Sequence, residues 1–228
     1  MLVHIPALLN ANQLTHFRQQ LEADNAPWID GRVTAGHQGI LVKQNQQIAE
    51  GSPVAIELGN IVLAALERNP LFISAALPNR IYPPMFNRYQ GGMHFGNHVD
   101  GSIRLLPGTG DKLRTDLSAT LFLAPPESYD GGELLIEDTY GTQTVKLPAG
   151  DMILYPASSL HRVNPVIRGT RLACFFWVQS MVREDGQRTM MFDLDNAIQR
   201  LIATNADEAA RVKLTGVYHN LLRSWSDV

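Results

Sequence analysis

The sequence predicts a mainly β fold with flanking helices, built on a sandwich or barrel of the jelly-roll kind. Two observations carry this. Between residues 71 and 180, short strand-like runs alternate with Gly- and Pro-rich turn signals. On either side, apolar residues recur at helical spacing instead. A chain of 228 residues is long enough for one substantial core with a small appendage.

Residues 10–24 read as a helix, with Asn10 as N-cap, Gln13 at the third helical position, and Leu14, Phe17 and Leu21 on one face. Residues 28–31 read as a turn and 40–42 as a short strand. A second helix starts at Ser52 with Pro53 in its first turn and ends near Arg68, before Asn69-Pro70. Strands are expected at 72–76, 86–89, 117–124, 133–137, 142–147, 152–155, 161–167 and 172–179. Their separators include Pro83-Pro84, Gly91-Gly92, Asp130-Gly131-Gly132, Tyr140-Gly141 and Arg168-Gly169-Thr170. Residues 101–116 read as a mobile loop beside the site. Past Ser180 a helical hairpin is expected. Asp193 or a neighbour caps its first helix, with Leu194, Ile198 and Leu201 on one side. Asn205 and Glu208 form a capping pair for its second, with Leu214, Val217, Leu221 and Trp225 on one face. The organisation expected is a β domain with N-terminal helices over 1–180 and a helical extension over 181–228.

Composition narrows the function. Hydrophobic residues make up 45% and charged ones 18%, which suits a folded globular chain. Net charge is −3 without a basic block, which argues against nucleic acid as main partner. A single cysteine, Cys174, excludes an intramolecular disulfide or a thiolate cluster, and its apolar surroundings suit an inert core thiol. No apolar stretch reaches membrane-spanning length and the first ten residues lack a charged start, so the cytoplasm is the expected compartment.

The chemistry concentrates in His98-Val99-Asp100 and the run from His161 to Trp177. On an extended chain, positions i and i+2 face the same way, so His98 and Asp100 can reach one metal. With His161 they make the two-histidine, one-carboxylate set that binds ferrous iron and leaves positions open. H-x-D alone recurs by chance, and surface or hydrogen-bonded core roles compete with ligation. Arg171 opens an apolar strand, where a guanidinium needs a partner. The distal carboxylate of a dicarboxylic co-substrate would serve, as would a neighbouring Asp or Glu. His94 is close enough in sequence to His98 to line the same pocket, while His4, His16, His37 and His219 match no ligand spacing. Gly131-Gly132 reads as a hairpin turn and Trp177 as core beneath the site.

Together, His98-Val99-Asp100, His161 to Val166, Gly169-Thr170-Arg171 and Trp177 resemble the prolyl-hydroxylase-type iron(II)/2-oxoglutarate dioxygenases. Over essentially its whole length the chain is similar to the bacterial PKHD-type hydroxylases, the PiuC-like proteins associated with iron uptake. The resemblance implies a double-stranded β-helix core. It makes His98, Asp100 and His161 iron ligands, Arg171 the residue that holds the C5 carboxylate of 2-oxoglutarate, and Tyr89 a second contact to it. It also implies ascorbate as the reductant that rescues oxidised iron, dioxygen as co-substrate, and a small-molecule or peptide substrate. Two other classes stay in view. One is a noncatalytic iron or 2-oxoglutarate sensor. The other is a jelly-roll hydrolase or isomerase using zinc or another metal in the same triad, which Arg171 and the resemblance disfavour. The two apolar rows of the tail further suggest a homodimer, with burial of both rows inside one subunit as the alternative.

Overall fold

The computed structural model describes residues 1–139 and 141–228. Two antiparallel sheets face each other. The larger runs, in spatial order, Val3–Ile5, Met152–Pro156, Leu117–Phe122, Thr170–Ser180, Met85–Gln90, Gln46–Ile48 and Trp28–Asp30, with Pro78–Ile81 also pairing with Thr170–Ser180. The smaller runs Gly141–Val145, Leu134–Asp138, His161–Val163, His94–His98 and Lys43–Gln44. This is the expected mainly β jelly roll with flanking helices and a C-terminal helix pair.

Period-two alternation makes each central strand serve two layers. Along Thr170–Ser180, Leu172, Cys174, Phe176 and Val178 enter the main core. Arg171, Phe175 and Trp177 point the other way, into a cavity between the sheets. Leu117–Phe122 does the same: Leu117, Ala119 and Leu121 are core, while Ser118 and Thr120 line the cavity. Cys174 is fully buried, and desolvation raises its thiol well above the usual range, which keeps it inert.

Three helices pack on the core side. α1 (Ala11–Leu21) carries the expected capping box between Asn10 and Gln13 and buries Phe17 and Leu21. α2 (Pro53–Glu67) is capped by the Ser52 side chain and buries Leu58, Val62 and Leu66. α3 (Pro70–Ala76) replaces the strand expected at 72–76. The Asn69 side chain accepts from the Phe72 amide and Pro70 sits in the first turn, so Asn69-Pro70 begins a helix as well as ending one.

Other boundaries moved for similar reasons. Residues 28–31 form the edge strand Trp28–Asp30 before a short helical turn, and 40–42 fall in and just after a second such turn at Gly39–Leu41. Asn164-Pro165 splits the run expected at 161–167 into His161–Val163 and Val166–Arg168. Residues 101–116 contain a hairpin, Ile103–Leu105 with Lys112–Arg114, pinned by fully buried Leu113. The turn expected at Tyr140-Gly141 falls partly outside the described residues, at Tyr140.

The tail forms α4 (Asp185–Ala203) and α5 (Glu208–Trp225). α4 starts eight residues before Asp193, which therefore caps nothing, and α5 is capped by Asp207 rather than by Asn205. The rows containing Leu194, Ile198 and Leu201, and Leu214, Leu221 and Trp225, turn at least partly inward, whereas Val217 is exposed. Tyr218, Leu221, Leu222 and Trp225 pack against buried Leu77, Val182 and Met191.

Candidate active site

His98 ends the strand His94–His98 and pairs in register with His161 on the neighbouring strand. Asp100 lies two residues further, past the strand end, where the chain turns toward the same point. One donor atom from each of His98, Asp100 and His161 falls within 4.8 Å of the others. Asp100 Oδ2 stands 3.8 Å from His161 Nε2. The His98 Nδ1 proton is donated to the Gly96 carbonyl at 2.8 Å and the His161 Nδ1 proton to Ser159 at 3.0 Å. Each ring is thereby oriented with its Nε2 lone pair free for a metal. Phe95 stacks on His98 with ring centroids 3.5 Å apart, and Tyr155 meets His161 edge-on at 5.2 Å.

The donor set fits a divalent cation. Burial, followed by the nearby His161, lowers the proton affinity of His98 and favours the neutral imidazole that ligation requires. Asp100 Oδ2 is buried and accepts no hydrogen bond. A carboxylate oxygen facing imidazole lone pairs is a repulsive array that a cation at its centre satisfies.

Arg171 and Tyr89 are paired residues on adjacent strands of the larger sheet. Arg171 is 1% exposed, its guanidinium lies 5.4 Å from the Tyr89 ring and 5.3 Å from that of Phe122, and its Nε has no hydrogen-bond partner. No carboxylate lies within ion-pair distance of it among the described residues. That disposes of the neighbouring Asp or Glu as its partner. Gly132, with φ +67°, makes the room: a Cβ there would stand 3.1 Å from Arg171 Cδ and 2.8 Å from Val166 Cγ2. The glycine pair is therefore not the expected hairpin turn: Gly131 belongs to the short strand Asp130–Gly131, which pairs with Val166–Arg168 at a bulge, and Gly132 seats Arg171.

All five residues line one cavity of about 390 Å³ between the sheets. His94 does not; its ring hydrogen-bonds to the Gly92 carbonyl at 3.2 Å. Trp177 is less a floor than a wall, since it lines the cavity with the Arg104 guanidinium 4.5 Å from its ring. Sequence reasoning missed Lys43 and Arg104. Lys43 is 5% exposed, and burial, then the charge of Arg104, pull its amine down to about 8. It also missed Asn45, Gln47 and Asn87, polar side chains buried against the same cavity. Ser118 and Thr120 were the available signal: two hydroxyls alternating inside an otherwise apolar strand mark a face that meets something polar.

Comparison with known proteins agrees with this geometry. Residues 84–179 match the 2OG-Fe(II) oxygenase superfamily, and 185–227 match the PKHD-type hydroxylase C-terminal domain. A PKHD-type hydroxylase from Paraburkholderia phymatum is 66% identical over 227 residues, covering 100% of both chains. The chain belongs to the PKHD-type hydroxylase family. A relative from Herminiimonas arsenicoxydans is 58% identical over the same span. Among solved structures, a Pseudomonas putida prolyl-4-hydroxylase aligns over 78% of this chain and 92% of its own, with TM-score 0.51 and 20% identity. A Trichoplax adhaerens prolyl hydroxylase in complex with a hypoxia inducible factor peptide aligns over 78% and 82%, with TM-score 0.57 and 16% identity. These two establish the shared fold. As a PKHD-type hydroxylase the protein is an iron(II)- and 2-oxoglutarate-dependent oxygenase, and its co-substrate is dioxygen. Among the described residues, no helix is long and apolar enough to cross a membrane.

Proposed function

We propose that His98, Asp100 and His161 hold the iron, that Arg171 and Tyr89 hold 2-oxoglutarate, and that the enzyme hydroxylates a small molecule or peptide serving iron uptake or homeostasis. The observation that carries the site assignment is the meeting of the three donor groups within 4.8 Å in a cavity that also contains a buried, unpaired Arg171. Bound iron(II), with 2-oxoglutarate and dioxygen, supplies the oxidising chemistry: the 2-oxo acid loses carbon dioxide to become succinate while one oxygen atom enters a substrate C–H bond.

The chain's own residues do the rest. The Gly96 and Ser159 carbonyls fix the two imidazoles by taking their Nδ1 protons. Arg171 offers a planar fork to a carboxylate, and the Tyr89 ring against its face limits where that fork can swing. Burial keeps the Tyr89 hydroxyl protonated and so available as a donor to the same carboxylate. Phe95, Phe122 and Phe175 keep water away from the reacting groups. Ascorbate serves as reductant, and the cytoplasm, where dioxygen and 2-oxoglutarate are both at hand, is the proposed compartment. The test is succinate formation by the iron-loaded enzyme, measured across siderophores, peptides and protein side chains. Stimulation by a siderophore or siderophore precursor is the expected result, and stimulation by none of the three classes overturns the assignment.

We further propose that residues 1–180 form the catalytic unit and 181–228 an extension whose outer face mediates a homodimer. Ile202 on α4 and Val212 and Val217 on α5 remain exposed. A sedimentation profile showing only monomer at high micromolar concentration disproves the dimer.

A further inference from the structure

The cavity has two cationic ends. Arg171 marks one. Lys43 and Arg104 mark the other, beside Phe95, Phe175 and Trp177. Phe175 and Trp177 lie four and six residues beyond Arg171 on the same strand, which at about 3.3 Å per residue sets their backbone positions roughly 13–20 Å from that of Arg171. A five-carbon diacid seated on Arg171 does not reach that far.

Lys43 and Arg104 bracket one residue. Lys43 Nζ donates to Thr34 Oγ1 at 3.0 Å, and Arg104 Nη1 donates to the Thr34 carbonyl at 3.3 Å. Both then rest on aromatic faces: Lys43 5.1 Å from the Phe95 ring, Arg104 4.5 Å from Trp177 and 5.0 Å from Tyr82. Neither has a carboxylate within ion-pair distance among the described residues. The acids nearest in effect to Lys43 are Asp100, Asp30 and Glu50. Asp100 belongs to the metal centre, Asp30 is engaged by Arg32, and Glu50 accepts from the Tyr82 hydroxyl at 3.4 Å. Counted over the loaded cavity, the charges of iron(II) and Arg171 are balanced by 2-oxoglutarate and Asp100 together, so the two positive charges at this end stay uncompensated. Two like charges held side by side in a half-closed, aromatic-walled space are costly unless an anion joins them.

We propose that the substrate carries an oxyanion, a carboxylate or phosphate on an apolar body, which Lys43 and Arg104 grip at the end of the cavity away from Arg171. These two residues then determine specificity. The apolar body lies against Phe95, Phe175 and Trp177, and its far end points toward the metal centre. This inference rests on the reading of His98, Asp100, His161 and Arg171 given above.

The test uses the full chain loaded with iron(II) and saturating 2-oxoglutarate under anaerobic conditions, so that Arg171 is already occupied. Benzoate, phenyl phosphate, benzamide and benzylamine are titrated by calorimetry. The expected result is that one of the two acids binds at least about tenfold more tightly than benzamide, and that added salt weakens it. Which acid binds better tells a carboxylate from a phosphate substrate. Lys43→Gln and Arg104→Gln should each erase most of that preference. Should Lys43→Gln fail to fold, the half-exposed Arg104 supplies the test alone, with Arg104→Glu expected to shift preference toward benzylamine. Benzamide binding as well as the acids overturns the proposal. So does a preference that survives both Gln substitutions, or no binding of either acid at millimolar concentration. A separate 2-oxoglutarate titration into the iron-loaded enzyme reports on Arg171 alone, so failure there is distinguishable from failure here.

Discussion

His98 and His161 stand directly opposite each other on neighbouring antiparallel strands, with ring centroids 4.1 Å apart. Burial, and after it the nearby His161, hold the His98 imidazole below its usual range and favour its neutral form. Asp100 is the only anion in the group. Asp100→Ala should therefore abolish stoichiometric iron(II) binding, while its circular dichroism spectrum and urea midpoint stay near wild type. Metal analysis of the purified variant decides it: one iron per folded chain would remove Asp100 from the metal centre.

Arg171 provides the second prediction. Arg171→Lys keeps the charge but loses the two-pronged geometry, and Arg171→Ala loses both. The 2-oxoglutarate dissociation constant should rise by about tenfold or more in the lysine variant and further in the alanine variant. Iron binding should persist in each. Equal 2-oxoglutarate affinity in wild type and Arg171→Ala would contradict the role.

Gly132→Ala reaches the same end indirectly. The new methyl meets Val166 Cγ2 at 2.8 Å and Arg171 Cδ at 3.1 Å, on a residue whose φ is +67°. Backbone strain of this kind costs about 1–3 kcal/mol, and the displaced guanidinium should weaken 2-oxoglutarate binding as well. A thermal melt and a 2-oxoglutarate titration of this variant should both show losses. An intact 2-oxoglutarate affinity would mean that Arg171 tolerates the shift.

The positions that could be read in advance and those that could not differ for a physical reason. His98, Asp100, His161 and Arg171 stand out because their spacing is tied to a chemistry, and the structure gathers them with Tyr89 around one cavity. The central strands were legible from their turns, because Gly and Pro punctuate a sheet wherever it reverses. Phe72 to Ala76 is a short apolar run with no visible period, and in sequence Asn69-Pro70 reads as the end of one helix as readily as the start of another. Lys43 and Arg104 were invisible for another reason. A lone lysine or arginine in sequence looks like solvated surface, and only folding shows that each is roofed by aromatic rings.

Lys43 also makes a stability prediction. Its amine falls from 10.5 in the unfolded chain to about 8 in the folded one, chiefly through burial. Between those values the unfolded chain binds more protons, so stability rises with pH. The penalty is complete below about 8 and gone above 10.5. Lys43→Met should therefore be more stable than wild type at pH 7, by up to about 3 kcal/mol, and the advantage should vanish near pH 10.5. Urea melts of both proteins across that range measure it. A variant less stable than wild type at pH 7 would show that the buried charge is compensated.

The hairpin Ile103–Leu105 and Lys112–Arg114 pairs only with itself and belongs to neither large sheet. It brings Arg104 to the cavity, whereas His98, Asp100, His161, Arg171 and Tyr89 sit on or just beyond the strands of the two sheets. Lys43 stays on the smaller sheet, but the Arg104 half of the proposed grip is inherited on a separate piece of chain. A descendant could exchange this finger for another of different length or charge and acquire a new diet, leaving the oxidising machinery untouched.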